Sequence, residues 1–329
     1  MDLSHCNLSN FPELNWYNLM DPIISVIVPV WNREGLIEKC LDSIVRQTRK
    51  PSEIIILDNN STDKTVEVVE KWINRHSDSG IKFKLLVEKK RGACAARQKG
   101  LENADGEFLI FFDSDDRMLP DLIEKVNTSL LSNSEVDIVC WKCRIKLLDG
   151  SYRVPPFMPE NPLEGHLIHT LFRPQGYIVR KTFLNEAKGW TKFVEVWNDF
   201  ELGLRLIINK PKIIAIDEIL AEIYSQEDSI TGKDFSSKQG KWELTLKEME
   251  EENERNDHPQ KNRIRKILNY RKSILAALYF LEGNSKAAGN LMNETLKDKS
   301  PVDKLLLNFS YHYTRKGFRG AWRIVRYFY

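Results

Sequence analysis

Residues 107–120, EFLIFFDSDDRMLP, set five apolar residues directly against three carboxylates. Phe108 to Phe112 is short, aromatic and continuous rather than alternating, which predicts a strand buried on both faces. Asp113, Asp115 and Asp116 then stand where that strand leaves its sheet. In open α/β sheets ligands bind outside the carboxyl ends of the strands, so acids placed there face a crevice. Clustered carboxylates repel one another, and a hard divalent cation relieves the repulsion. Mg²⁺ takes one or two protein carboxylates and completes its shell with substrate phosphates. An acid-rich helix start is the competing reading, because Pro120 and Asp121 precede an apolar-periodic segment of Leu122, Ile123, Val126 and Leu130.

The flanking sequence repeats one unit. Ile23 to Val30 (IISVIVPV) reads as a strand, with Pro29 marking its end because proline cannot donate to a ladder. Apolar residues at 36, 37, 40, 41, 44 and 45 then trace one helix face. Glu53 to Leu57 is a further strand, followed by the polar turn DNNSTDKT and a helix with Val66, Val69, Trp72 and Ile73 inward. Lys82 to Val87 is a fourth, followed by a small-residue helix that closes on Gly106. Strands alternating with helices predict an α/β fold with a mostly parallel sheet, its polar turns on one rim.

Three of those turns carry candidate chemistry. Trp31 is either core or a face on which a nucleobase stacks. Asp58, Asn59 and Asn60 suit an Asx turn, and equally suit a base edge or ribose. Arg97, alone in an Ala-rich helix, is either solvated or a clamp on a diphosphate. Neither GxGxxG nor GxxxxGK occurs, which counts against dinucleotide and P-loop readings. A formal net charge of +2 gives no reason to expect a nucleic-acid partner. Five scattered cysteines make no disulfide framework and fit a reducing cytoplasm. Cys140 and Cys143 form a CxxC without a second pair, so a core strand is expected there rather than zinc. The N-terminus lacks the pattern of a signal peptide, and no apolar run reaches the roughly 20 residues that span a bilayer.

Taken together, SVIVPVWNREGLIEKCLDSIVRQT, EIIILDNNSTDKT and RGACAARQKGLENADGEFLIFFDSDDRMLP resemble the nucleotide-sugar half of the inverting family 2 glycosyltransferases, which have the A-type glycosyltransferase fold. The resemblance spans residues 23–120. It implies that Pro29 and Trp31 line the base pocket, that Asp58 and Asn59 bind nucleoside, and that Arg97 supports the nucleotide. It also implies that Asp113 and Asp115 form the DxD motif around a divalent Mn²⁺ or Mg²⁺, with Ser114 among the nucleotide-sugar contacts. One departure is Asn59, where the family often has a second aspartate. Further on, GYIVRKTFLNEAKGW resembles the segment leading to the family's general base, usually an acidic pair opening a helix. Here Asn198 replaces the first acid, and Asp199 is the expected base, a position equally suited to a helix N-cap. Glu227 and Asp228 stand where some relatives carry a metal-binding histidine; a surface loop is the plainer reading.

The expected organisation is a lead-in at 1–22, a catalytic domain at 23–235 divided at 120 into nucleotide-sugar and acceptor halves, and a helical region at 236–329. The acceptor half contains one long strand, VDIVCWKCRIKLL, and a Pro-rich loop, SYRVPPFMPENPLEG. The resemblance implies sugar transfer from a nucleoside diphosphate, with a UDP-sugar favoured, to a hydroxyl of a glycan or lipid-linked glycan in cell-surface polysaccharide synthesis. A nucleotide-binding module without catalysis would lack the base. A nucleotidyltransferase would show a Gly-rich basic loop near the N-terminus. From residue 315 onward there are no acids, and basic residues interleave with aromatics. Written as one helix, that segment sets Phe318, Trp322 and Val325 beside Arg319, Arg323 and Arg326, the pattern of a helix lying on an anionic membrane.

Overall fold

A computed structural model describes residues 21–226 and 234–329. The first four strands, β1 (Ile24–Val30), β2 (Glu53–Asp58), β3 (Lys82–Val87) and β4 (Phe108–Phe111), lie in the order β3-β2-β1-β4, parallel throughout. The connections are α1 (Ile37–Val45), α2 (Thr65–Arg75) and α3 (Ala93–Asn103), as the periodicity predicts. Beyond β4 the sheet becomes mixed. It continues through β8 (Tyr177–Arg180), β6 (Ile138–Lys146), β9 (Ile213–Tyr224) and the short β5 (Arg117–Met118). The segment after β6 is not all loop. It holds β7 (Tyr152–Arg153), paired with β6, and from Pro162 the helix α5 (Pro162–His169). Asn161 accepts the Glu164 amide and proline occupies the first turn, a start signal embedded in the Pro-rich run.

Alternating strand residues build two separate cores. Val26, Val28, Ile54 and Ile56 pack with α1, α2 and α4 (Leu122–Ser132). Ile27, Ile55 and Leu57 face α3 and α7 (Asn198–Ile208), in a core that continues into the C-terminal helices. Cys140 belongs to one core and Cys143 to the other, so the two thiols leave β6 on opposite faces and share no site.

β1 runs through Pro29 and ends at Val30, the bound expected from the sequence. In a parallel strand alternate residues turn their backbone groups to alternate neighbours. Ile27 accepts from Phe112 on the β4 side and Val30 accepts from Asn59 on the β2 side. Pro29 therefore faces the β4 side, where the last paired residue of β4, Phe111, lies opposite Ile27. Its missing N–H has no ladder to interrupt.

The C-terminal region comprises α8 (Gln239–Arg255), α9 (Lys261–Leu281), α10 (Ser285–Leu296), α11 (Pro301–Arg315) and α12 (Trp322–Val325). The single helix expected over 315–329 is not formed, because Gly317 and Gly320 take positive φ angles and break it. Trp322 and Val325 are buried rather than turned outward. Trp322 donates its indole N–H to Glu164 of α5 at 2.9 Å, while Arg263 of α9 and Arg326 lie 3.1 and 3.7 Å from the same carboxylate. Phe318, Ile324, Tyr327 and Phe328 remain exposed. No helix among the described residues is long and apolar enough to cross a membrane.

Candidate active site

The rim is set by strand lengths. Val30 pairs with Asp58, whereas β4 stops opposite Ile27. At about 3.3 Å per residue, β1 and β2 overhang β4 by roughly 10 Å, and the turn Asp113–Asp116 crosses that notch.

On the overhanging side, Trp31 is half exposed, and the Arg91 guanidinium lies 5.0 Å from its ring centre. Asp58 is buried and accepts the amide of Ser61, three residues on. Asn59 is committed to protein. Its Nδ2 donates to the carbonyls of Glu88 and Lys90 at 2.9 and 2.8 Å, and its Oδ1 accepts from Gly92 at 2.7 Å. Both amide hydrogens are used, so Asn59 shapes the loop that carries Arg91 rather than offering donors to a base. Pro29 lies inside β1 and, like Ser114, is buried.

In the notch, both Asp113 oxygens have protein donors. Arg97 Nη2 lies 2.6 Å from Oδ1, and Gln175 Nε2 lies 2.6 Å from Oδ2. The same Gln175 Nε2 is 2.6 Å from Asp116 Oδ2, while Tyr224 N donates to Asp116 Oδ1 at 2.8 Å. Burial, reinforced by the charges of Asp113 and Asp115, pushes the Asp116 carboxyl well above the ordinary range. Asp115 turns to Arg33, 3.7 Å away. The described residues contain no preassembled group of three metal-ligating side chains. One or two carboxylates plus a diphosphate suffice for Mg²⁺ or Mn²⁺, and Asp115 with the free lone pairs of Asp113 fits that donor set. Glu227 and Asp228 lie outside the described residues.

Arg97 is buried against the face of Trp190, 4.7 Å from the ring centre. Its Nη1 donates to Asn198 Oδ1 at 3.2 Å, carrying the network from the Asp turn to the start of α7. Asp199 follows. It does not cap α7: the cap position is Trp197, held in the left-handed region, and Asp199 Oδ1 accepts the adjacent Phe200 amide, at 2.9 Å. Burial raises the Asp199 carboxyl above the usual carboxylate range, with Arg97 and Arg173 pulling the other way. A carboxyl held neutral more easily than in water, at a cleft lined by donors, has the properties of a tuned acid or base. Gln175, Arg173, Trp190 and Arg91 were not legible as site residues, since only the fold brings them there.

The family profile described as Glycosyl transferase family 2 matches residues 25–184, which include β1 to β4, the Asp turn and Gln175. Residues 25–184 form a family 2 glycosyltransferase domain. Among curated relatives, this glycosyltransferase is 33% identical over 170 residues to a cholesterol galactosyltransferase of Borreliella burgdorferi, covering 49% of this chain and 45% of that one. It is 39% identical over 106 residues to the glycosyltransferase GlyA of Streptococcus pneumoniae, covering 32% and 15%. It is 43% identical over 98 residues to the GalNAc(5)-diNAcBac-PP-undecaprenol beta-1,3-glucosyltransferase of Campylobacter jejuni, covering 30% and 31%. The chain thus spans less than half the length of each of these relatives. Across 90% of this chain and 92% of the other, the glycosyltransferase superposes on S. aureus TarS 1-349 in complex with UDP, with a TM-score of 0.67 at 19% identity. The mannosyltransferase PcManGT of Pyrobaculum calidifontis in complex with GDP-Man and Mn²⁺ gives 0.56 at 19% identity, covering 91% and 84%. At such identities the likeness establishes the shared fold, an A-type glycosyltransferase fold with a helical C-terminal region.

Proposed function

We propose that this glycosyltransferase moves one sugar from a nucleoside diphosphate, with UDP favoured, to a hydroxyl of a glycan or lipid-linked glycan, with inversion, in cell-surface polysaccharide synthesis at the cytoplasmic side. The observation that carries this reading is the Asp113–Arg97–Asn198 chain, which ties the donor rim to Asp199. The acceptor oxygen forms the new bond to the anomeric carbon as the bond to the diphosphate oxygen breaks in line. The acceptor proton passes to Asp199, whose raised pKa suits a base that must hold it. Trp31 offers a ring face to the base, and Asp58 lies at the end of the neighbouring strand. Arg97 fixes Asp113 and holds positive charge beside the departing diphosphate. A divalent cation held by Asp115 beside Asp113 would supply Lewis-acid stabilisation of that leaving group.

The test combines a screen of nucleotide sugars for Mn²⁺-supported hydrolysis with calorimetric titration of UDP. UDP binding should be strong with Mn²⁺, weak with chelator, and weak in Asp115→Ala under either condition. Equal affinities across these conditions would overturn the metal assignment, and no hydrolysis of any nucleotide sugar would count against the donor class.

A further inference from the structure

We propose that Arg173 and Arg271 form a phosphate-binding subsite on the acceptor side of the cleft, so that the acceptor carries a phosphoryl group near its reacting hydroxyl. The inference rests on the transferase reading above and names a chemical class for its acceptor.

The two side chains come from different parts of the fold and reach the same end of α5. Arg173 immediately precedes Pro174–Gly176, the turn whose Gln175 grips Asp113 and Asp116. Its Nη2 and Nε donate to the carbonyls of His169 and Thr170 at 2.8 and 3.1 Å. Arg271, from α9, donates Nε to the Leu167 carbonyl at 2.8 Å, on the same last turn of α5. Its guanidinium lies 4.8 Å from the ring centre of Phe200, which follows Asp199, and 5.9 Å from that of Trp197, the cap residue of α7. Both cations are only partly accessible.

What sets them apart is the lack of a counter-charge. Elsewhere the buried cations are paired: Arg97 with Asp113, Arg205 with Glu201, and Lys272 with Glu250 and Glu294. Among the described residues neither Arg173 nor Arg271 forms an ion pair, and the exposed Arg153 of β7 adds like charge near Arg173. Capping carbonyls of α5 uses one or two of the five N–H groups on each guanidinium, leaving the rest of each fork for another acceptor. The positive field is also felt by His166, which burial holds down to about 4 with Arg271 and Arg173 contributing. Among the described residues the Asp199 carboxylate acts on both arginines, and Arg97 competes for it. Uncompensated charge in a half-buried site is costly. An anionic phosphate removes that cost, and the planar fork of arginine matches its oxygens. The subsite adjoins the proposed base, so the phosphate it holds belongs to the acceptor and not to the donor diphosphate, which occupies the Asp113–Asp115 side.

Such a phosphate could be the diphosphate of a lipid carrier or the phosphodiester of a polymer backbone. The full chain, saturated with UDP and Mn²⁺ so that the donor pocket is filled, is titrated calorimetrically with methyl diphosphate and with dimethyl phosphate; acetate is the control. At least one phosphate compound should bind, and the tighter one identifies the source. Arg173→Met and Arg271→Met should each weaken it about tenfold, the value of one charge-assisted hydrogen bond, with UDP affinity unchanged. Should Arg271→Met fail to fold, Arg271→Lys is measured in its place, with a smaller loss expected because charge remains without the fork. The proposal is overturned if neither phosphate compound binds, if acetate binds equally well, or if the arginine variants bind as the wild type does. If UDP itself does not bind, the donor reading fails separately, and the dependence of phosphate binding on Arg173 and Arg271 still decides the subsite.

Discussion

Arg97 donates to Asn198 at 3.2 Å, and with the other arm of the same guanidinium it holds Asp113 at 2.6 Å. The carboxylate turn and the first turn of α7 are thereby fixed to one rigid plane. Lysine cannot reproduce a fork. Arg97→Lys should keep the charge near Asp113 and release Asn198, lowering turnover roughly 10- to 100-fold by loss of a charge-assisted hydrogen bond. Steady-state kinetics alongside UDP titration will show whether the loss falls on turnover rather than on nucleotide affinity.

Asp199→Asn should bind UDP as the wild type does and lose a factor of about 10² to 10⁴ in turnover. The pH dependence follows from the same carboxyl. Burial raises its pKa, and the base must be ionised to work. The acid limb of kcat should therefore lie above the ordinary aspartate value of about 3.9, with activity falling as pH drops through the raised pKa. Asn198→Asp adds a negative neighbour and should move that limb higher still. A limb unchanged by Asn198→Asp would show that the titrating group is elsewhere.

Gln175 serves two carboxylates with one amide nitrogen. Gln175→Glu would set a third acid against Asp113 and Asp116 in a buried place, with a stability cost of about 3 kcal/mol or more at neutral pH. The cost should shrink as the pH is lowered and the added acid is protonated. Urea unfolding at two pH values measures both effects.

The C-terminal segment gives a surface prediction. Trp322 and Val325 are buried, and the outward residues are Phe318, Arg319, Arg323, Ile324, Tyr327 and Phe328. If this face meets an anionic membrane, each basic side chain adds about 1 kcal/mol. Arg319→Gln with Arg323→Gln should then reduce sedimentation with anionic vesicles at low salt and leave the fold intact. A wild-type chain that stays in the supernatant removes the membrane reading.

Residues 23–120 were readable because their signals are local. A continuous apolar run before Asp113, and a period of 3.6 residues after Trp31, need no knowledge of the rest of the chain. Residues 121–235 depend on contacts between distant segments, and there the sequence carried less. Gln175 sits in a Pro-Gln-Gly turn with no distinguishing spacing, and its task exists only because β8 pairs with β4. At Asn59 and in the C-terminal helix the partners of the side chains were likewise set by distant segments. Residue type suggested a ligand contact at Asn59 and one amphipathic face near the end of the chain. Backbone carbonyls of a neighbouring loop claimed the first, and two glycines with Glu164 of α5 decided the second.

Pro29 also bears on what the sheet is prevented from doing. A strand edge is a template, and a partner running alongside it tends to zip onward until something stops it. Past Phe111 the next residues of the chain lie beside the unpaired edge of β1, and a donor at position 29 would invite them to join. Proline withholds that donor. The aspartate turn is thus kept from being absorbed as further strand, which would turn Asp116 to the face of the pleat opposite Asp113 and Asp115. A residue with no functional group of its own keeps the acids free to act together.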